Sequence, residues 1–174
     1  MACTLEEFCT KSTAALRSAD PLDRKLGRIA EFLAELLGNP EFVAQAFSED
    51  DPPGHRTLHH CPETDYHVLA HVQRAGKGGL PHSHGTSWAI YGNARGFTDM
   101  TEWRRVNPPT EDHVVLEAAA KYRLGPGDTR GYGPGVMHST QHPEKAWVIR
   151  VTGTDLDVLP RYHFRAQDRI LEKT

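Results

Sequence analysis

"GGLPHSHGTSWAIYGNARG" (residues 78–96) decides how the rest of the chain is read. His82 and His84 stand one residue apart inside an apolar, aromatic-rich segment. Successive side chains of a strand point to opposite faces, so these two imidazoles share a face and can reach one cation. A third ligand must come from another strand. The best source is "GDTRGYGPGVMHSTQH" (127–142), whose glycines and proline read as a tight turn delivering His138, 54 residues after His84. No aspartate or glutamate stands within 78–96, so the site, if it is one, is built from neutral donors.

Working outward, the texture changes at "SEDDPPGH" (48–55). From Arg56 onward the segments are short, rich in Val, Tyr, Trp and Thr, and separated by Gly and Pro, which is an all-β texture. The expected strands are "DYHVLAHVQ", "TSWAIYG", "GFTDMTEWRRV", "HVVLEAAAKYRL" and "AWVIRVTG". "LEAAAK" alone prefers helix, but "KYRLGPGD" follows at once and makes a strand and turn the better fit. Before this region the chain reads as helical. One helix is expected over about Leu5 to Ser18. A second starts at Asp20-Pro21, with an N-cap acid and a proline at the first helical position, and carries Leu26, Ile29, Leu33, Leu36 and Leu37 at helical spacing up to Gly38. Asn39-Pro40 repeats the start signal for a short helix through Phe47.

The 174 residues fit one domain, with helices over 1–50 and a barrel over 51–165. A net charge of -3 offers no basic field for nucleic acid, and no run approaches a membrane span, so neither is expected as a partner. The opening "MACTLEEFCTKSTAAL" has early acids and no apolar core, unlike a signal peptide. Cys3, Cys9 and Cys61 follow no framework spacing, which predicts three free thiols and a cytoplasmic protein. Nothing in the composition opposes a homodimer. Eleven histidines is the one compositional anomaly. His59, His60, Cys61, His67 and His71 show no tetrahedral metal spacing, and His67 and His71 are too far apart along a strand to chelate alone, so no second metal site is expected.

The two histidine segments together resemble the cupins. The first cupin motif, G, five residues, H-x-H, three or four residues, E, six residues, G, is matched by Gly76, His82, His84 and Gly96, with Ala89 in the glutamate position. The second, G, five residues, P-x-G, two residues, H, three residues, N, is matched by Gly127, Gly135, His138 and His142, with the proline displaced to Pro134. The resemblance covers roughly residues 56 to 155. It implies an all-β cupin double-stranded β-helix, or jelly-roll barrel, with an N-terminal helical segment. A cupin lacking the glutamate looks like cysteine dioxygenase and its relatives, the thiol dioxygenases, which hold Fe(II) with three histidines. Neutral ligands leave the cation its full charge, so an anionic thiolate can bind it directly. The resemblance therefore implies a mononuclear iron dioxygenase taking a small, carboxylated thiol and O2 to a sulfinate, with Zn, Ni or Mn able to occupy the same donors on purification. The alternatives are another metal-dependent cupin enzyme (a carbon–carbon cleaving dioxygenase, a lyase or an isomerase) and a cupin that only binds a small ligand or stores a metal.

The family's other residues carry over unevenly. Arg56 lies at about the right distance upstream of the H-x-H to clamp a substrate carboxylate, as the animal enzymes do. The late Ser-x-His-x-Tyr motif is absent; Val148, Arg150 and Thr152 stand there. Alternation predicts that Trp147, Ile149 and Val151 pack outward and that Arg150 points into the barrel, a second candidate for the carboxylate. Tyr91 shares a face with Ala89 and is expected to line the cavity or to be core with its hydroxyl satisfied. Trp88 and Trp103 are expected to pack, and His142 to support the site or face solvent.

Overall fold

The computed structural model describes residues 2–159, 162, 164, 165 and 167–171. The helical segment forms as α1 (Leu5–Arg17), α2 (Leu22–Leu37) and α3 (Pro40–Ala46). Thr4 and Glu7 close a reciprocal capping box at the start of α1. Asn39 caps α3, its side-chain oxygen accepting the Glu41 and Phe42 N–H groups at 3.0 and 3.4 Å. The expected cap of α2 is corrected: Pro21 holds the N-cap position, and Asp20 is used instead by Arg24 and Arg28, at 3.6 and 3.2 Å. Leu26, Ile29, Leu33, Leu36 and Leu37 are all buried on one face of α2, as their spacing requires.

Among the described residues ten strands follow: β1 (Gly54–His60), β2 (His67–Gln73), β3 (Lys77–Gly78), β4 (Ala89–Arg95), β5 (Thr98–Arg105), β6 (Val115–Leu124), β7 (Thr129–Tyr132), β8 (Met137–His142), β9 (Ala146–Thr152) and β10 (Arg169–Leu171). They make two sheets, β1-β2-β9-β4-β7 and β10-β6-β5-β8-β3, with every pairing antiparallel except β10 with β6. Without the outer strands β1 and β10, β2-β9-β4-β7 and β3-β8-β5-β6 are the strand orders of an eight-stranded jelly roll. The fold is the double-stranded β-helix with an N-terminal helical segment that the two histidine motifs imply.

Several expected boundaries move. The segment expected as a tight turn holds two strands, β7 and β8, joined through Gly135 at φ 74°. The strand expected to begin at Thr86 begins at Ala89. β1 is an exposed edge strand with little alternation to read, and β10 lies past residue 165. "LEAAAK" is strand within β6: cross-strand pairing with β5 overrides its helix propensity.

The main apolar core lies between the helices and the outer face of the first sheet. Val68, Ala70, Val72, Ile90, Trp147, Ile149 and Val151 pack there against the helix residues Leu26, Ile29, Leu33, Leu36 and Leu37. Each fully buried Leu or Ile contributes about 2 kcal/mol. α2 approaches β4 so closely that a Cβ on Gly92 would sit 2.6 Å from Leu37 Cδ1 and 2.8 Å from Leu33 Cδ2, so any side chain there would have to displace both leucines. The three cysteines are free and buried. Among the described residues, no helix is long and apolar enough to cross a membrane.

Candidate metal centre in the barrel

His138 sits on β8, while His82 and His84 lie in the extended segment before β4. That segment is held by an isolated bridge: His82 N–H donates to His138 O and His138 N–H to His82 O, both at 2.9 Å. The backbone thus places two of the three rings before any side-chain contact is made. The ring centroids are 5.5 Å apart for His82–His84 and 4.8 Å for each of the pairs with His138. The candidate ligand atoms of all three lie within 4.8 Å of one another.

Nδ1 of His82 is 3.1 Å from Leu80 O, and Nδ1 of His138 is 3.3 Å from Val136 O. An Nδ1–H donating to these carbonyls puts the lone pair on Nε2, the atom a metal would take. His84 and His138 are almost completely buried. Burial pushes His138 down to about 4, with the neighbouring His82 adding to the effect, so its imidazole is neutral at ordinary pH. Three imidazoles gathered in this way fit a first-row divalent cation such as Fe, Zn or Ni.

Tyr91 joins the site. Its hydroxyl lies 3.3 Å from His84 Nε2 and 3.4 Å from His138 Nε2. Arg150 is its cross-strand partner on β9 and faces the barrel interior with Val148 and Thr152, while Trp147, Ile149 and Val151 pack outward as alternation predicted. Arg150 Nε is buried and has no hydrogen-bond partner among the described residues. His71 Nε2, on the neighbouring strand β2, is in the same condition. Burial pushes His71 down to about 2, and Arg150 adds to the effect.

Arg56 is the correction. It pairs in register with Ala70, whose face packs on the helices, so strand alternation turns it away from the barrel interior. Its guanidinium donates to Ala46 O at 2.6 Å and pairs with Asp51 at 3.6 Å, tying β1 to the end of α3. The structure does not bring it to the histidines.

Sequence reading missed a carboxylate. Glu102 on β5 is the register partner of His138. It accepts hydrogen bonds from the Tyr122 hydroxyl at 2.7 Å and from Arg130 at 3.0 Å. Burial works to raise its pKa, but these two donors outweigh burial and hold the carboxyl below its usual range. Tyr122 in turn meets Tyr132 at 2.5 Å, and the Tyr132 ring stacks on His138 at 4.4 Å. Burial pushes Tyr122 up to about 12 and raises Tyr132 as well, so both stay protonated. The available signal was the alternation Thr98, Met100, Glu102, which puts Glu102 on the same face as the buried Met100. His142 is buried, with Nδ1 3.3 Å from the Thr98 hydroxyl; Trp88 packs in the helix-covered core, and the half-buried Trp103 donates its indole N–H to Ser139 Oγ at 2.9 Å.

No family model matches the chain, and no curated protein matches it. Among solved structures it is similar to a cupin superfamily protein from Desulfitobacterium hafniense (10% identity, 65% of this chain and 87% of that one, TM-score 0.46). It is also similar to KdgF from a Halomonas species (20% identity, 64% and 91%, TM-score 0.46). A third is an uncharacterized conserved protein with a double-stranded β-helix domain from Klebsiella pneumoniae (14% identity, 70% and 88%, TM-score 0.46). The jelly roll itself rests on the strand order already described.

Proposed function

We propose that the protein is a mononuclear metal enzyme whose cation is held by His82, His84 and His138, and that it oxidises a small carboxylated thiol to its sulfinate with O2. The observation that carries this reading is the combination of an all-neutral donor set with an inward arginine whose Nε lacks a partner among the described residues. Fe(II), when bound, supplies the redox chemistry that joins both oxygen atoms to sulfur. The chain's own residues do the rest. Arg150 offers a planar fork to the substrate carboxylate and so sets which end of the thiol faces the histidines. Tyr91, within hydrogen-bond reach of two ligand imidazoles, holds its hydroxyl proton beside the reacting end. Tyr132, stacked on His138 and anchored through Tyr122 to Glu102, fixes the orientation of that ring. The balance is simple: a thiolate and one O2 give one sulfinate.

The same chain of Glu102, Tyr122 and Tyr132 favours a second reading, a non-redox metal enzyme such as a lyase or isomerase, because a hydrogen-bonded acid beside a metal ligand is also a proton relay. Metal analysis of protein purified without added metal, followed by O2 uptake with small thiols, separates the two. The dioxygenase reading expects iron, O2 consumed one for one with a carboxylated thiol, and sulfinate as product. Iron-loaded protein that consumes no O2 with any thiol, carboxylated or neutral, overturns it.

A further inference from the structure

The end of the β1–β2 hairpin gathers three metal-ligating side chains that the barrel site does not use. We infer that His60, Asp65 and His67 form a second site for a divalent cation of the zinc class.

His60, the last residue of β1, and His67, the first of β2, are register partners, so their side chains leave the same face of the ribbon. Their rings stack at 4.2 Å with 20° between planes. The connecting turn is closed by its own backbone, Asp65 N–H to Cys61 O at 2.8 Å and Cys61 N–H to Tyr66 O at 3.0 Å. Within it Asp65 adopts φ 58°, and it is the one non-glycine residue with positive φ among the described residues. That left-handed conformation costs a side-chain-bearing residue energy, and aspartate is among the few that tolerate it. Here it turns the carboxylate back toward both imidazoles. Oδ1 lies 3.1 Å from His60 Nε2 and 4.0 Å from His67 Nε2, while Oδ2 accepts the Thr154 hydroxyl from the segment after β9.

All three ligand atoms lie within 4.8 Å of one another. Two paired strands and a turn thus bring the donors within reach of one cation. This is why spacing along the chain did not reveal them: the histidines are brought together by register and not by a repeat. Two imidazoles and one carboxylate, open to water on the exposed side, suit zinc or a neighbouring late transition cation better than magnesium or calcium, which prefer all-oxygen shells. The set is distinct from the barrel triad. The two groups share no residue, and His60 and Asp65 belong to the β1–β2 hairpin, while His82 is bridged to β8 of the other sheet.

Equilibrium dialysis of metal-stripped protein against zinc tests this. The full chain is expected to hold two equivalents, His82→Ala/His138→Ala one, and His60→Ala/His67→Ala one. Asp65→Asn, which keeps the size of the side chain but removes its charge, should weaken one of the two wild-type equivalents at least tenfold. Zinc should also raise the melting temperature of the His82→Ala/His138→Ala protein, and adding His60→Ala should abolish that rise. If His60→Ala/His67→Ala binds as much zinc as the wild type, the hairpin cluster is only a hydrogen-bonded tie and the inference fails. Because these two side chains lie at the hairpin end and not in the apolar core, that arm reads out even where the barrel variant does not fold.

Discussion

The two faces of the sheet β2-β9-β4 are made by the same strands and do opposite things. The outward residues Val68, Ala70, Val72, Ile90, Trp147, Ile149 and Val151 are buried and apolar and are covered by the helices. The inward face mixes Ala89 and Val148 with the polar His71, Tyr91, Asn93, Arg150 and Thr152, and His71 and Arg150 each keep a nitrogen unpartnered among the described residues. A buried polar atom without a partner costs about 1 to 3 kcal/mol. The helix-covered face offsets that cost, which lets the inner face be arranged for a ligand. Stability and chemistry are thus separated across the thickness of one sheet, and each prediction below presses on one side of that separation.

The largest effect expected is that of pH on metal-free protein. His71 and His138 are neutral when folded, pushed down to about 2 and about 4 from 6.5. Below 6.5 the unfolded chain takes up protons on both and the folded chain does not, so stability falls with pH. The slope reaches about 1.4 kcal/mol per pH unit for each histidine. It should persist for His138 until pH nears 4 and for His71 beyond that. Urea unfolding between pH 7 and pH 4 measures it, and His71→Leu should remove its share; an unchanged slope in that variant would show that the inner face is not strained as described.

On the outer face, Leu33→Ala should cost about 3 kcal/mol, the usual range for a buried leucine. Leu33 is fully buried on α2 against β4. The variant should keep its full metal content once folded, as read by denaturant midpoint and metal analysis together. A loss of metal disproportionate to the loss of stability would mean that the two faces are coupled.

A smaller effect is expected from Arg150. Lys keeps the charge but loses the planar fork, so KM for a carboxylated substrate should rise about tenfold, or about 1.4 kcal/mol, with metal content unchanged. Arg150→Met should also abolish any preference for carboxylated over neutral thiols. If neither variant alters that preference, the arginine supports the fold only.

Legibility followed the same division. α2 and the outward positions of β9 declared themselves because burial on one face imposes a period that can be read locally. The histidine triad was legible because two spacings occurred together. Arg56 and Arg150 could not be separated by distance from the H-x-H; the face each strand turns inward separates them, and β1, exposed along most of its length, gave no alternation from which to assign one. Glu102 was hidden for a related reason. Its nearness to His138 is a register relation between β5 and β8, separated by 36 residues in Trp103–Ser139 just beside it, and no local pattern encodes register. The Asp65 cluster depends on one residue's left-handed backbone, which nothing in "HHCPETDYH" announces.

The central claim is that His82, His84 and His138 hold a metal, and metal analysis of His138→Ala tests it most directly. One imidazole of three is removed, and the remaining two lie close together in one extended segment. To keep the hairpin cluster out of the count, the measurement is made in the His60→Ala/His67→Ala background. The account predicts that the background protein carries one equivalent of metal, that adding His138→Ala reduces this to a small fraction, and that the variant still unfolds cooperatively. Retention of near-stoichiometric metal by that folded variant would contradict it.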